Sequence, residues 1–234
     1  MTNDLSTHLQ AGISRFERGR YREALLAANA LLAAAPEEPH AWGLRCDALT
    51  RLLRFDEAIE AATQVERFAP DNPQQLATAL RHKGFALQRL KRYAEAVTAY
   101  RAALDCTPAG PDQTYAWTNL SACLLHLKRT PEALVASQCA IAVDATDPQA
   151  WLCHAGALEA LGRRRQAVDA LERAVALDPY HPDAALAWVG ALLYLGRLRH
   201  AWRAFSEVRA RWGGITTRRN ERRYGPASLY TPRR

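Results

Sequence analysis

Apolar residues recur along the chain at the three-to-four-residue spacing of amphipathic helices, and the stripes they form recur in turn at a longer interval. Trp117, Leu120, Leu124 and Leu127 mark one such helical face. A short basic turn follows stripes of this kind, as in Leu90-Lys91-Arg92 and Leu161-Gly162-Arg163, and a second stripe then begins. Six alanines hold the same place on the second stripe: Ala24, Ala58, Ala96, Ala133, Ala167 and Ala201, spaced by 34, 38, 37, 34 and 34 residues. An arginine stands four residues before each (Arg20, Arg54, Arg92, Arg129, Arg163, Arg197), and an apolar residue follows directly (Leu25, Ile59, Val97, Leu134, Val168, Trp202). This period predicts stacked helix–turn–helix units rather than one globular core, each marker alanine keeping two helices close.

Proline-rich joints separate most units: Ala35-Pro36-Glu37-Glu38-Pro39, Ala69-Pro70-Asp71-Asn72-Pro73, Thr107-Pro108-Ala109-Gly110-Pro111 and Asp178-Pro179-Tyr180-His181-Pro182. Proline cannot continue a helix but suits the first turn of the next. The longer spacings come from residues 73–76 and 111–113. The first insert, about one helical turn long, is expected to lengthen a helix beginning near Pro73, and the second to be loop.

These units resemble tetratricopeptide repeats. Residues 77–110 keep Gly84, Leu87, Tyr93, Ala96, Tyr100 and Pro108 of the family pattern, and residues 39–72 keep Trp42, Leu49, Phe55, Ala58 and Pro70. Four more units, 5–38, 114–147, 148–181 and 182–215, match in register; Ala145 and Gly213 stand where proline is expected in the fourth and sixth. The resemblance implies an all-α fold, a right-handed alpha-alpha superhelix (solenoid) of six helix pairs over 1–215, followed by a basic tail over 216–234. It also implies a protein-interaction scaffold or adaptor that binds a partner peptide or protein in a concave groove lined by the first helix of each unit.

Composition narrows the alternatives. No run of apolar residues is long enough to cross a membrane, and the start of the chain does not read as a signal peptide, so a cytoplasmic location is expected. Five cysteines without a C-x-x-C pair are expected to be structural thiols. No P-loop, nucleophile elbow, zinc-protease or dinucleotide motif occurs. The expectation is therefore a non-catalytic protein with no catalytic residues, no metal and no cofactor.

Aligning the units on their marker alanines gives a candidate lining for the groove: Asp47 and Arg51 from the second unit; Arg81, His82, Phe85 and Arg89 from the third; Tyr115, Asn119 and His126 from the fourth. Mixed cations, amides and aromatics suit a peptide with an acidic group beside an apolar one. Arg81 can fork onto a carboxylate, and Asn119 can bond a peptide backbone. Some members of the family hold an acidic C-terminus with two lysines, two asparagines and an arginine. Here that register offers only Arg81 and Asn119, with Phe85, Gln149 and Cys153 in the other places, so that clamp is not expected.

Two features near the C-terminus suggest further partners. Leu198, Trp202, Phe205 and Trp212 form an apolar stripe with no obvious cover, a candidate surface for self-association or for a docked partner, including a larger enzyme complex to which this chain would be accessory. Residues 216–234 carry six arginines against one acid, five of the seven net positive charges of the chain. Arg218, Arg219, Arg222 and Arg223, with tyrosines interleaved, are candidates for nucleic-acid contact, the alternative to the scaffold reading.

Overall fold

The computed structural model describes residues 2–107 and 110–210, and all the regular structure among them is helical. Eleven helices, α1 (Thr2–Glu17), α2 (Tyr21–Ala34), α3 (Pro39–Arg51), α4 (Phe55–Phe68), α5 (Pro73–Arg89), α6 (Tyr93–Cys106), α7 (Pro111–His126), α8 (Thr130–Val143), α9 (Pro148–Ala160), α10 (Arg164–Leu177) and α11 (Pro182–Tyr194), are followed by a helix over 198–210, α12. Two compact units divide at Asp144/Ala145. The first holds the four pairs α1–α8 and the second the two pairs α9–α12. The six helix pairs are those of an αα-solenoid. None of the described helices is long and apolar enough to cross a membrane.

The turn inside each pair follows from its backbone. The residue before the arginine takes a left-handed conformation in all six: Gly19, Leu53, Lys91, Lys128, Gly162 and Gly196, with φ between 59° and 75°. The arginine N–H then reaches back to the carbonyl five residues earlier, as in Arg54 to Leu49, Arg92 to Leu87 and Arg163 to Leu158, which satisfies a last-turn carbonyl of the first helix. The arginine's own carbonyl accepts the N–H of the marker alanine and opens the second helix. Three turns use glycine, which adopts this conformation without strain; Leu53, Lys91 and Lys128 do not have that freedom. Gly162→Ala is therefore expected to lower stability by about 1–2 kcal/mol. Leu53→Gly, at an exposed side chain, should raise stability by less, because glycine also loosens the unfolded chain. Shifts of the urea midpoint in opposite directions would check both.

The joints start the next helix with proline in its first turn, and all of them except the one at Gly110 place a side-chain cap before it. Asn72 Oδ1 accepts from the Gln75 N–H at 3.1 Å, and Asp147 Oδ1 from the Gln149 N–H at 2.9 Å. Trp42 and Trp151, at matching positions, each donate an indole N–H at 2.8 Å to a joint carbonyl, of Pro36 and Ala145 respectively. The first insert does lengthen a helix: α5 has 17 residues where α3 has 13. The second differs from expectation, because α7 starts at Pro111 and residues 111–113 are helical. Pro111 stands in the first turn, where its fixed φ suits a helix and its missing N–H costs nothing.

Cores fill the spaces between helices with small residues. Ala24, Ala58, Ala96 and Ala133 are fully buried, Ala167 and Ala201 nearly so. Where one partner is large the other is absent: Tyr100 is fully buried in α6, and Gly84 in α5 faces its ring.

Candidate functional site

In the first unit, α3, α5 and α7 are the leading helices of consecutive pairs, and α5 packs against both of the others. All nine residues expected in the groove lie on these three helices. Asp47 on α3 and His82 on α5 meet, with Nδ1 2.7 Å from Oδ1 but off the line of a good hydrogen bond. This contact joins two adjacent pairs and occupies the one acid of the set.

The charges of Arg81, half-buried on α5, and of the exposed Arg51 on α3 favour the ionised form of Tyr115 on α7. Loss of water around the phenol pushes its pKa up, against the pull of the two guanidinium groups. The phenol is therefore neutral and a hydrogen-bond donor at physiological pH. The residue is 42% exposed. Asn119, one turn further on α7, donates its amide to the Tyr115 carbonyl at 2.8 Å, so its Nδ2 is engaged within its own helix.

Phe85 and Arg89 gather a residue outside the nine groove candidates. Phe55, the first residue of α4, meets Phe85 edge-on with centroids 6.2 Å apart, and the Arg89 guanidinium lies 5.7 Å from the Phe55 ring and 5.9 Å from that of Phe85. His126, at the same register as Arg89, stacks on Tyr93, the first residue of α6, at 4.3 Å and 7°. The second unit repeats the pairing with its members exchanged: Arg164, first in α10, sits 4.3 Å from the Tyr194 ring centroid and donates to the Tyr194 hydroxyl at 2.8 Å. The signal for these pairs was in the sequence, in the aromatics Phe55 and Tyr93 directly after the turn arginines. They mark the seam between one pair and the next.

The first unit thus carries Arg89 grouped with Phe55 and Phe85, and Arg51 and Arg81 on the two leading helices before that of Tyr115. The acid among the groove candidates, Asp47, is already matched by His82. Such a set can accept a carboxylate in a guanidinium fork and an aromatic or aliphatic side chain beside it.

Cys46 adds a third metal-capable group next to Asp47 and His82, the ligand atoms lying within 4.8 Å of one another. Cys46 is fully buried, and burial holds its thiol protonated far above the ordinary range. As it stands it is a packed thiol rather than a thiolate ligand. None of the five cysteines is in a disulfide. The end-face candidates Leu198, Trp202 and Phe205 are exposed on α12. Trp212 and the arginines Arg218, Arg219, Arg222 and Arg223 lie outside the described residues.

Comparison with known proteins agrees with this architecture. The crystal structure of PilW, described as a widely conserved type IV pilus biogenesis factor, is similar over 89% of this chain and 94% of its own, with 21% identity and a TM-score of 0.76. PilF of Pseudomonas aeruginosa is similar over 91% and 94%, with 16% identity and a TM-score of 0.74. YrrB, described as a TPR protein with an unusual peptide-binding site, is similar over 79% and 91%, with 18% identity and a TM-score of 0.61. At these identities the likeness is one of fold. No curated protein sequence matches the chain. Tetratricopeptide-repeat family models match residues 9–73 and 83–150, and again 148–189. The chain belongs to the tetratricopeptide-repeat family.

Proposed function

We propose that this protein is a non-catalytic interaction scaffold that binds an acidic segment of a partner protein on the α3–α5–α7 face of its first unit. The observation behind this reading is that α5 packs against both α3 and α7, so Arg51, Arg81 and the partly exposed Tyr115 stand on three neighbouring leading helices, both guanidinium groups favouring the charged form of the phenol. Arginine binds carboxylates in a planar fork, and the neutral phenol supplies a donor for a peptide carbonyl or a second carboxylate oxygen. Phe85, Phe55 and Arg89 form the apolar neighbour site, so the favoured ligand has an acid followed or preceded by a large apolar side chain. Peptide binding by a protein of similar fold, YrrB, supports the same use of the repeats. Five cysteines outside any disulfide suit a reducing, cytoplasmic setting.

The test is capture of partners from native extract by the full chain, with and without nuclease, set beside the Arg51→Glu, Arg81→Glu double variant. A protein captured by the wild type in the presence of nuclease and lost by the variant supports the scaffold reading. Capture that vanishes with nuclease, or that the variant retains in full, contradicts it and moves the function to another surface.

A further inference from the structure

The two ends of the described chain are unlike each other in a way that the repeats make measurable. Within a unit the residue after the marker alanine is covered: Leu25, Val97 and Val168 are 7%, 3% and 3% exposed and Ile59 is partly buried, whereas Trp202 at the same position of α12 is 70% exposed. Four residues after the marker, Ala28, Ala62, Tyr100 and Leu171 are buried, and Phe205 is 44% exposed. The helix α12 therefore presents the half of a pair-to-pair seam that inside a unit is covered by the next leading helix, and presents it with aromatic side chains larger than most of those inside.

The opposite half-seam is open at α1 and α2. A hollow of about 360 Å³ lies there, lined by Leu5, His8, Arg15, Ala27, Ala30 and Ala34. Inside the first unit the alanines equivalent to Ala27, Ala61 in α4, Ala99 in α6 and Ala136 in α8, are buried, but Ala27 is only partly covered. The floor of the hollow is small and apolar, and its rim carries Arg15, held at 4.0 Å by Glu23, where the later leading helices carry buried leucines: Leu49, Leu87, Leu124, Leu158 and Leu192. The two departures from the internal pattern are complementary. One end offers bulky aromatics, the other a shallow alanine-floored socket edged by a guanidinium, the cation that aromatic faces attract.

We propose that this protein associates head to tail with a second copy of itself, the Leu198–Trp202–Phe205 face of one copy seating in the α1–α2 hollow of the next with Trp202 against Arg15. The contact continues the kind of seam by which consecutive pairs pack within each unit. It is heterologous, so each copy keeps one used and one unused end and association does not stop at two unless a ring closes. It is independent of the α3–α5–α7 face.

The test uses the full chain and two variants at exposed positions, Trp202→Glu and Ala30→Glu, with helical content checked by circular dichroism. Sedimentation velocity across a wide concentration range should show the wild type associating beyond a dimer, and each variant weakened by about tenfold or more. Mixing the variants should restore a one-to-one complex, because each supplies the intact end that the other lacks. A wild type that stays monomeric at every concentration overturns the proposal, as does association that begins only when residues 211–234 are removed. Loss of association in Trp202→Glu with none in Ala30→Glu also overturns it, because the α12 faces would then meet each other.

Discussion

Tyr100→Ala is expected to destabilise the protein by about 3–5 kcal/mol, among the largest effects of any single change in the described residues. Tyr100 is fully buried between α5 and α6, and its hydroxyl donates to Gln88 Oε1 at 3.1 Å. Truncation removes the ring, leaves a cavity against a helix that cannot collapse without breaking its own pair, and orphans the Gln88 acceptor. The neighbour makes the prediction sharper. A Cβ at Gly84 would lie 2.9 Å from two ring carbons of Tyr100, so Gly84→Ala alone should cost about 1–3 kcal/mol by overpacking. With the ring gone, the same methyl has room, and alanine is better than glycine in a helix interior by about 1 kcal/mol. Gly84→Ala should then stabilise the Tyr100→Ala protein. Urea denaturation of the four proteins of this cycle would show the change of sign; additive losses would mean that the two residues do not touch in the folded protein.

Charge reversal on the arginine face is expected to have the second large effect, on binding instead of stability. A charge-assisted hydrogen bond contributes about 1.5–3 kcal/mol, so Arg81→Glu should weaken an acidic peptide by about tenfold to a hundredfold, and the added repulsion carries the Arg51→Glu, Arg81→Glu protein further. Because Arg51 is exposed and Arg81 half-buried, the loss should also shrink as salt rises, more for the Arg51 share than for the Arg81 share. A matching loss of affinity in Phe85→Ala with no change in salt dependence would separate the apolar neighbour site from the charged one. Titrations of a labelled peptide, read by fluorescence anisotropy at two salt concentrations, check both statements.

The repeat period and the marker alanines make the helix pairs legible in the sequence, because burial of an alanine between two helices allows almost no substitute. The Arg–x–x–x–Ala phrase likewise marked the turns, since that arginine both closes one helix and opens the next. What could not be read was the boundary at Pro111, where proline is compatible with both loop and first turn and only the packing of α7 decides. The face was legible as a set of register positions. Its internal pairing was not. Asp47 and His82 are 35 residues apart in sequence and come together only because successive leading helices lie side by side. Asn119 looks like a free amide in the sequence, yet one of its two N–H donors is taken by the Tyr115 carbonyl within the same helix. Phe55 and Tyr93 were hidden for the opposite reason: they begin second helices, which the search for groove residues passed over.

The most direct measurement of the central claim is selection of a random peptide library on the full wild-type chain, followed by titration of the enriched peptides against wild type and the Arg51→Glu, Arg81→Glu protein. The account predicts enriched peptides with an acidic residue next to a large apolar one, bound by the wild type and lost by the variant. Enrichment of basic or uncharged peptides, or of acidic peptides that the variant binds as tightly as the wild type, would contradict it.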